Sequence, residues 1–229
     1  MKKLIALMLI LLMAFVFGCV LGEEDEEDKD TSINAEDYIP LKKGNTWTWN
    51  DTDNNGVSST SLEEIIGTTT IDGKTYWVFN DSDADTMYIR IANNIAHIYI
   101  DDEPINREVP LLDFNKSPGD TWTTFSETIT DQGASGTITQ TVKYIGLKDV
   151  TVPAGSFSDC VVFEYTTQGE HSFIVNNTTY NGTYTEIATM YFAKGVGPVK
   201  DISVITDESD GEKSESTETS ELKSYNILN

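Results

Sequence analysis

The chain has 229 residues, enough for one all-β domain and too few for two large ones. Its 38 acidic residues against 15 basic ones give a net charge of −23. A surface of that sign repels nucleic acid and anionic lipid headgroups, and it keeps copies apart in a salty external medium that screens it.

Lys2 and Lys3 open the chain, an unbroken apolar run follows from Leu4 to Phe17, and Gly18-Cys19 ends it. This is the make-up of an export signal over residues 1–18. Val16-Phe17-Gly18-Cys19 resembles the lipobox of prokaryotic lipoproteins, which implies that Cys19 is lipidated and becomes N-terminal after cleavage. An uncleaved anchor is the alternative, because Leu4 to Gly22 carries no charge and about 18 apolar residues span a bilayer as a helix. Both readings leave the lysines inside and the acidic residues after Gly22 outside, so the folded part is extracytoplasmic, on a cell membrane, held there by the N-terminal anchor. Loss of the leader with its two lysines takes the net charge from −23 to −25.

Residues 19–37 are dense in like charge and lack apolar periodicity, the pattern of an extended acidic tether, and a β-rich domain is expected over 38–229. Short apolar and aromatic runs separated by Gly, Asn and Asp predict strands at Thr46–Asn50, Lys74–Asn80, Thr86–Ala92 and Ile95–Ile100, with Asn93-Asn94 as a tight hairpin turn. Further strands are expected at Asp120–Thr130, Thr137–Leu147, Asp159–Gln168, Ser172–Val175, Thr183–Ala193, Val199–Thr206 and Ser214–Tyr225, with Asp207–Lys213 as the loop of a last hairpin. Both alternating faces of Cys160-Val161-Val162-Phe163-Glu164-Tyr165 begin apolar, which suits a strand buried on two sides. The predicted architecture is all-β: a single antiparallel meander forming a strongly curved sheet, half-barrel or sandwich. Gly44-Asn45-Thr46-Trp47-Thr48 returns as Gly119-Asp120-Thr121-Trp122-Thr123, a short echo of the kind that two related halves leave.

Several segments carry a family resemblance. Tyr38-Ile39-Pro40-Leu41 with Gly44 and Trp47, Leu111-Leu112-Asp113-Phe114 with Gly119 and Trp122, Val152-Pro153-Ala154-Gly155-Ser156-Phe157 with Cys160, and Gly195-Val196-Gly197-Pro198-Val199-Lys200 are similar to a family of uncharacterised prokaryotic cell-surface lipoproteins. The resemblance implies a β-rich exported domain, a curved half-barrel similar to lipoprotein carriers, and no established catalytic residue.

Candidate chemistry is sparse. Asp51-Thr52-Asp53-Asn54-Asn55-Gly56 matches the first half of a calcium loop, with Asp51, Asp53 and Asn55 as ligands. Its twelfth position is Leu62, and a hairpin turn explains the same residues more simply. Asn80-Asp81-Ser82-Asp83-Ala84-Asp85 is a second acidic loop of the same kind. Glycosylation sequons fall at Asn50, Asn80, Asn115, Asn176, Asn177 and Asn181. His97 and His171 stand in no metal or catalytic motif, Cys160 is left as a lone packing thiol, and no nucleophile elbow, zinc helix or phosphate loop occurs. A non-catalytic envelope lipoprotein that binds an unknown ligand or envelope protein is therefore expected. The alternatives are a structural surface protein with calcium-stabilised loops and a hydrolase whose site has no sequence signature. A continuous apolar hollow would mark a carrier, and a filled interior a protein-contact role.

Overall fold

The computed structural model describes residues 33–82, 86–101, 105–131, 134–175, 178–209 and 211–228. The leader with Cys19, most of the expected tether, Asp83 to Asp85, and the sequon residues Asn176 and Asn177 lie outside the described residues. Among the described residues a helical turn, α1 (Ala35–Tyr38), precedes twelve strands. The first six are β1 (Thr46–Asp53), β2 (Ser58–Ile71), β3 (Lys74–Asn80), β4 (Thr86–Ala92), β5 (Ile95–Ile100) and β6 (Arg107–Asp113). The longer second set is β7 (Thr121–Asp131), β8 (Ala134–Val152), β9 (Gly155–Val175), β10 (Thr178–Ala193), β11 (Gly197–Ser209) and β12 (Glu212–Asn226).

All neighbours pair antiparallel in the order β6-β5-β4-β3-β2-β1-β12-β11-β10-β9-β8-β7. Two six-stranded meanders are thus joined where β1 pairs with β12, and the expected all-β meander stands. The sheet curls until its edges β6 and β7 lie alongside each other in a nearly closed barrel. Ile105 and Val109 pack there against Phe125 and Ile138, and Arg107 reaches Glu127 at 2.5 Å. Phe163 is the centre of the packed interior, with Tyr144, Phe114, Trp122 and Phe192 at ring separations of 5.2, 5.3, 6.1 and 6.2 Å. Edge-to-face and tilted pairs of this kind hold an aromatic core together.

The five-residue echo is the visible part of a longer repeat. Gly44 and Gly119 both take positive φ, 90° and 96°, and each opens the first strand of its meander. The amide of Gly44 donates to the Ile65 carbonyl, and Ile65 N donates back to Asn45 O; Gly119 and Asp120 make the same exchange with Tyr144. A bulge then follows in both halves, between Ile65 and Gly67 and between Tyr144 and Gly146. Beyond it Val78-Phe79 and Val162-Phe163 occupy matching register positions. The ring contact between Trp47 and Phe79 has its counterpart in Trp122 and Phe163.

Four features differ from expectation. β2 was not predicted, because its core-facing positions include Ser61 and Glu63 and so show no apolar alternation. β6 was missed because it contains Pro110, which demotes a strand; β6 is a sheet edge, where a missing N–H is tolerated. Residues 33–37, assigned by composition to the tether, belong to the fold. Ala35 is fully buried, and Asn94 clamps the segment by accepting from Ala35 N at 2.7 Å and donating to Ile33 O at 2.8 Å. Asn93 and Asn94 take φ of 54° and 61°, the left-handed turn the hairpin needed. The last loop is far shorter than expected, since β11 runs to Ser209 and β12 begins at Glu212.

Candidate functional site

Strand parity decides which side chains enter the barrel. Trp47, Trp49 and Asp51 share one face of β1, and Ser220 and Leu222 face them from β12. Leu222, Trp47 and Trp49 are core residues, so Asp51 and Ser220 also point inward. The same rule carries Glu63 from β2, Asp201 and Ser203 from β11, Glu186 from β10 and Tyr165 from β9 into the interior.

The interior is therefore divided. Aromatic and aliphatic side chains fill one part, and a row of carboxyl groups lines the wall beside it. Trp49 Nε1 donates to Glu63 Oε2 at 3.1 Å, while Ser61 and Ser220 donate to the two oxygens of Asp51 at 2.7 and 2.5 Å. Ser203 and Tyr184 donate to the two oxygens of Glu186, each at 3.1 Å. Burial pushes the Glu63 and Glu186 carboxyls up to about 7 and raises Asp201 well above the usual carboxylate range, with Glu186 adding to the effect on Asp201. Asp201 Oδ1 and the Tyr165 hydroxyl are buried without a hydrogen-bond partner among the described residues.

A second polar cluster occupies the opposite face of β3 to β6. Glu108 accepts from Arg90 through both oxygens, from Tyr76, and from Lys74 at 2.9 Å. Arg90, then Tyr76 and Lys74, hold the Glu108 carboxyl well below its ordinary range. Arg90 also lies over the Tyr76 ring, 5.8 Å from its centroid. His97 Nδ1 is 3.5 Å from Glu108 Oε1, and burial followed by the Arg90 charge lowers its proton affinity. Every donor converges on one carboxylate, which is the pattern of an ion-pair network that ties four strands together.

The third polar place is a hollow of about 730 Å³ at the far end of the long strands. Thr137, Glu170, His171, Asn181, Thr183 and Glu208 line it, and among the described residues no aliphatic or aromatic side chain other than histidine joins them. His171 is paired with a glycine on each side, Gly136 on β8 and Gly182 on β10. A Cβ on Gly182 would stand 2.4 Å from His171 Nε2, so the imidazole position depends on the bare backbone beneath it.

The predicted ligands of the calcium loop are used differently. Asp53 Oδ1 accepts from the amides of Asn55 and Val57, both at 2.8 Å, which lowers its proton affinity and closes the β1–β2 turn. Asn55 Nδ2 donates back to Asp53 and Asn54, while Asp51 faces the interior serines. Among the described residues no group of three or more His, Cys, Asp or Glu is disposed to hold a metal ion. Asn50 lies within β1 between Thr60 and Glu221, Asn80 accepts from Thr86, and Asn115 donates to Asn93 and Asp113. Asn181 is exposed on β10. Cys160 is fully buried, and burial pushes its thiol up to about 11. The inner carboxyl row escaped sequence reading although a signal existed: Tyr184, Glu186, Ala188 and Met190 alternate on one strand, which sets a glutamate on an apolar face.

No family model matches the chain, and no curated protein matches it. Solved structures similar to it include a protein of Bacteroides fragilis assigned as exported, with a YmcC-like fold, at 13% identity and a TM-score of 0.40. They also include a protein of Parabacteroides distasonis assigned as a lipoprotein, at 12% identity and a TM-score of 0.47. Each alignment covers 82% of this chain and 98% of the other.

Proposed function

We propose that this chain is a lipid-tethered, extracytoplasmic protein whose non-catalytic β-domain offers its polar hollow to a hydrophilic partner. Cys19 after the apolar leader supports the tether, and the lysines before it support the orientation. The observation that carries the binding reading is the division of polar and apolar space. Phe163 and its ring neighbours occupy the interior, where a carrier would keep a greasy cavity, while the hollow is walled by Thr, Ser, Gly, Glu, His and Asn. The test is a titration of isotope-labelled protein, followed residue by residue by NMR, with soluble envelope glycans and peptides and separately with the apolar dye N-phenylnaphthylamine. Shifts confined to Thr137, Glu170, His171, Thr183 and Glu208 with a hydrophilic probe are expected. Saturable capture of the dye in the interior would instead make the domain a lipid carrier.

A further inference from the structure

Asp201, Ser203 and Glu186 share the inward side of β10 and β11, where Ser203 is bonded to Glu186; Glu186 lies two pleats from Gly182 in the lining of the hollow, and Asp201, opposite Met190, lies further from it. None of the ion pairs among the described residues includes Asp201, Glu186 or Glu63. The groups that face the row are themselves acidic or phenolic. Asp51 and Asp53 come from β1, Glu63 from β2, Glu218 from β12, Asp207 from β11, Tyr184 from β10 and Tyr165 from β9, with Asp81 beyond the end of β3. No described lysine, arginine or histidine acts on Glu186 or Asp201. Tyr165 is 7% exposed, its hydroxyl has no partner among the described residues, and burial followed by the Asp201 charge raises its proton affinity.

Buried carboxylates without a counter-charge are tolerated when they hold protons and repel when they do not. Protonated, the row is uncharged, whereas ionised Glu186 and Asp201 leave two like charges in a medium that screens them weakly. We propose that Glu186 and Asp201 are a proton-operated latch on this wall of the barrel: protonated, they hold β10 against β11 below the hollow, and ionised, they loosen it. A protein facing the external medium would read the pH of that medium through this wall.

Because the folded state raises both carboxyls above their unfolded values, it binds more protons than the unfolded chain. The stabilisation is complete below about pH 4.5 and is lost as pH rises through about 7 for Glu186. The test uses the full-length chain and compares Tm at pH 5.5 and pH 8 for the unaltered protein and for Glu186→Gln/Asp201→Asn, whose amides stand in for the protonated groups. The unaltered protein is expected to lose about 5 °C or more between the two conditions. The double variant should match it at pH 5.5 and recover at least half of that loss at pH 8. Glu212→Gln/Asp101→Asn, which removes the same charge from exposed positions, should leave the pH dependence in place. Amide exchange in β10 and β11 of the unaltered protein, corrected for intrinsic rates, should quicken at pH 8. A flat Tm, an equal rescue by the exposed-site variant, or a double variant destabilised or unfolded at both pH values would overturn the latch.

Discussion

Gly197 shows how much one backbone position controls. Its φ is 99°, and a Cβ there would meet Trp47 Nε1 at 3.2 Å and Pro40 Cδ at 3.3 Å. Trp47 in turn donates to the Val196 carbonyl at 2.7 Å in the buried interior. Gly197→Ala is expected to destabilise by on the order of 2–3 kcal/mol in urea unfolding. Gly211→Ala, at φ 85° with open space around it, should lose about 1 kcal/mol. Cys160 makes a chemical prediction of its own. With its thiol held near 11, roughly one molecule in a thousand is thiolate at pH 8, so a disulfide reagent applied to the Cys19→Ser chain should react only on unfolding. Prompt reaction in the folded state would show that the site is accessible. That Gly197 and Cys160 are framework residues was legible from their motifs; that Trp47 is the neighbour enforcing the glycine was not, because 149 residues separate Trp47 from Val196.

The seam between β6 and β7 is where the sheet could open. Two kinds of contact span it, and their magnitudes differ. Arg107 is half exposed, so its bond to Glu127 contributes under about 1 kcal/mol. Phe125 is 5% exposed among Ile105, Val109 and Ile138, and truncating it should remove about 3–5 kcal/mol. Arg107→Ala is therefore expected to leave the unfolding midpoint nearly unchanged and Phe125→Ala to lower it sharply; the reverse ranking would assign closure to electrostatics. Strands with apolar alternation, such as β4 and β5, were legible in the sequence to the residue. β2 and β6 were not, since an inward Glu63 and an edge Pro110 are each allowed by a neighbour or a vacant ladder position that only the assembled sheet supplies. The candidate site suffered the same fate: the Asp53 turn was readable locally, whereas the row of Glu63, Asp201 and Glu186 is assembled from three strands.

For the whole molecule, charge and architecture act together. A net charge of −23 on the chain is a standing repulsion, so raising ionic strength from about 0.01 to 0.15 M, which shortens the screening length from about 30 to 8 Å, should raise Tm. Glu108 supplies the acid limb of the stability profile. Its lowered proton affinity contributes stability above the ordinary carboxylate range that is lost as pH falls below about 4.5, opposite in sign to the inner row. Above these details stands the proposed arrangement of the chain at a membrane: a greasy leader ending at Cys19, then acidic residues, then a barrel that hides its apolar side chains within itself. Metabolic labelling with a radioactive fatty acid, combined with protease shaving of intact cells producing the full chain, tests that arrangement most directly. The expected result is label that disappears in Cys19→Ala and a β-domain that protease reaches from outside; an unlabelled protein recovered from the cytosol would contradict it.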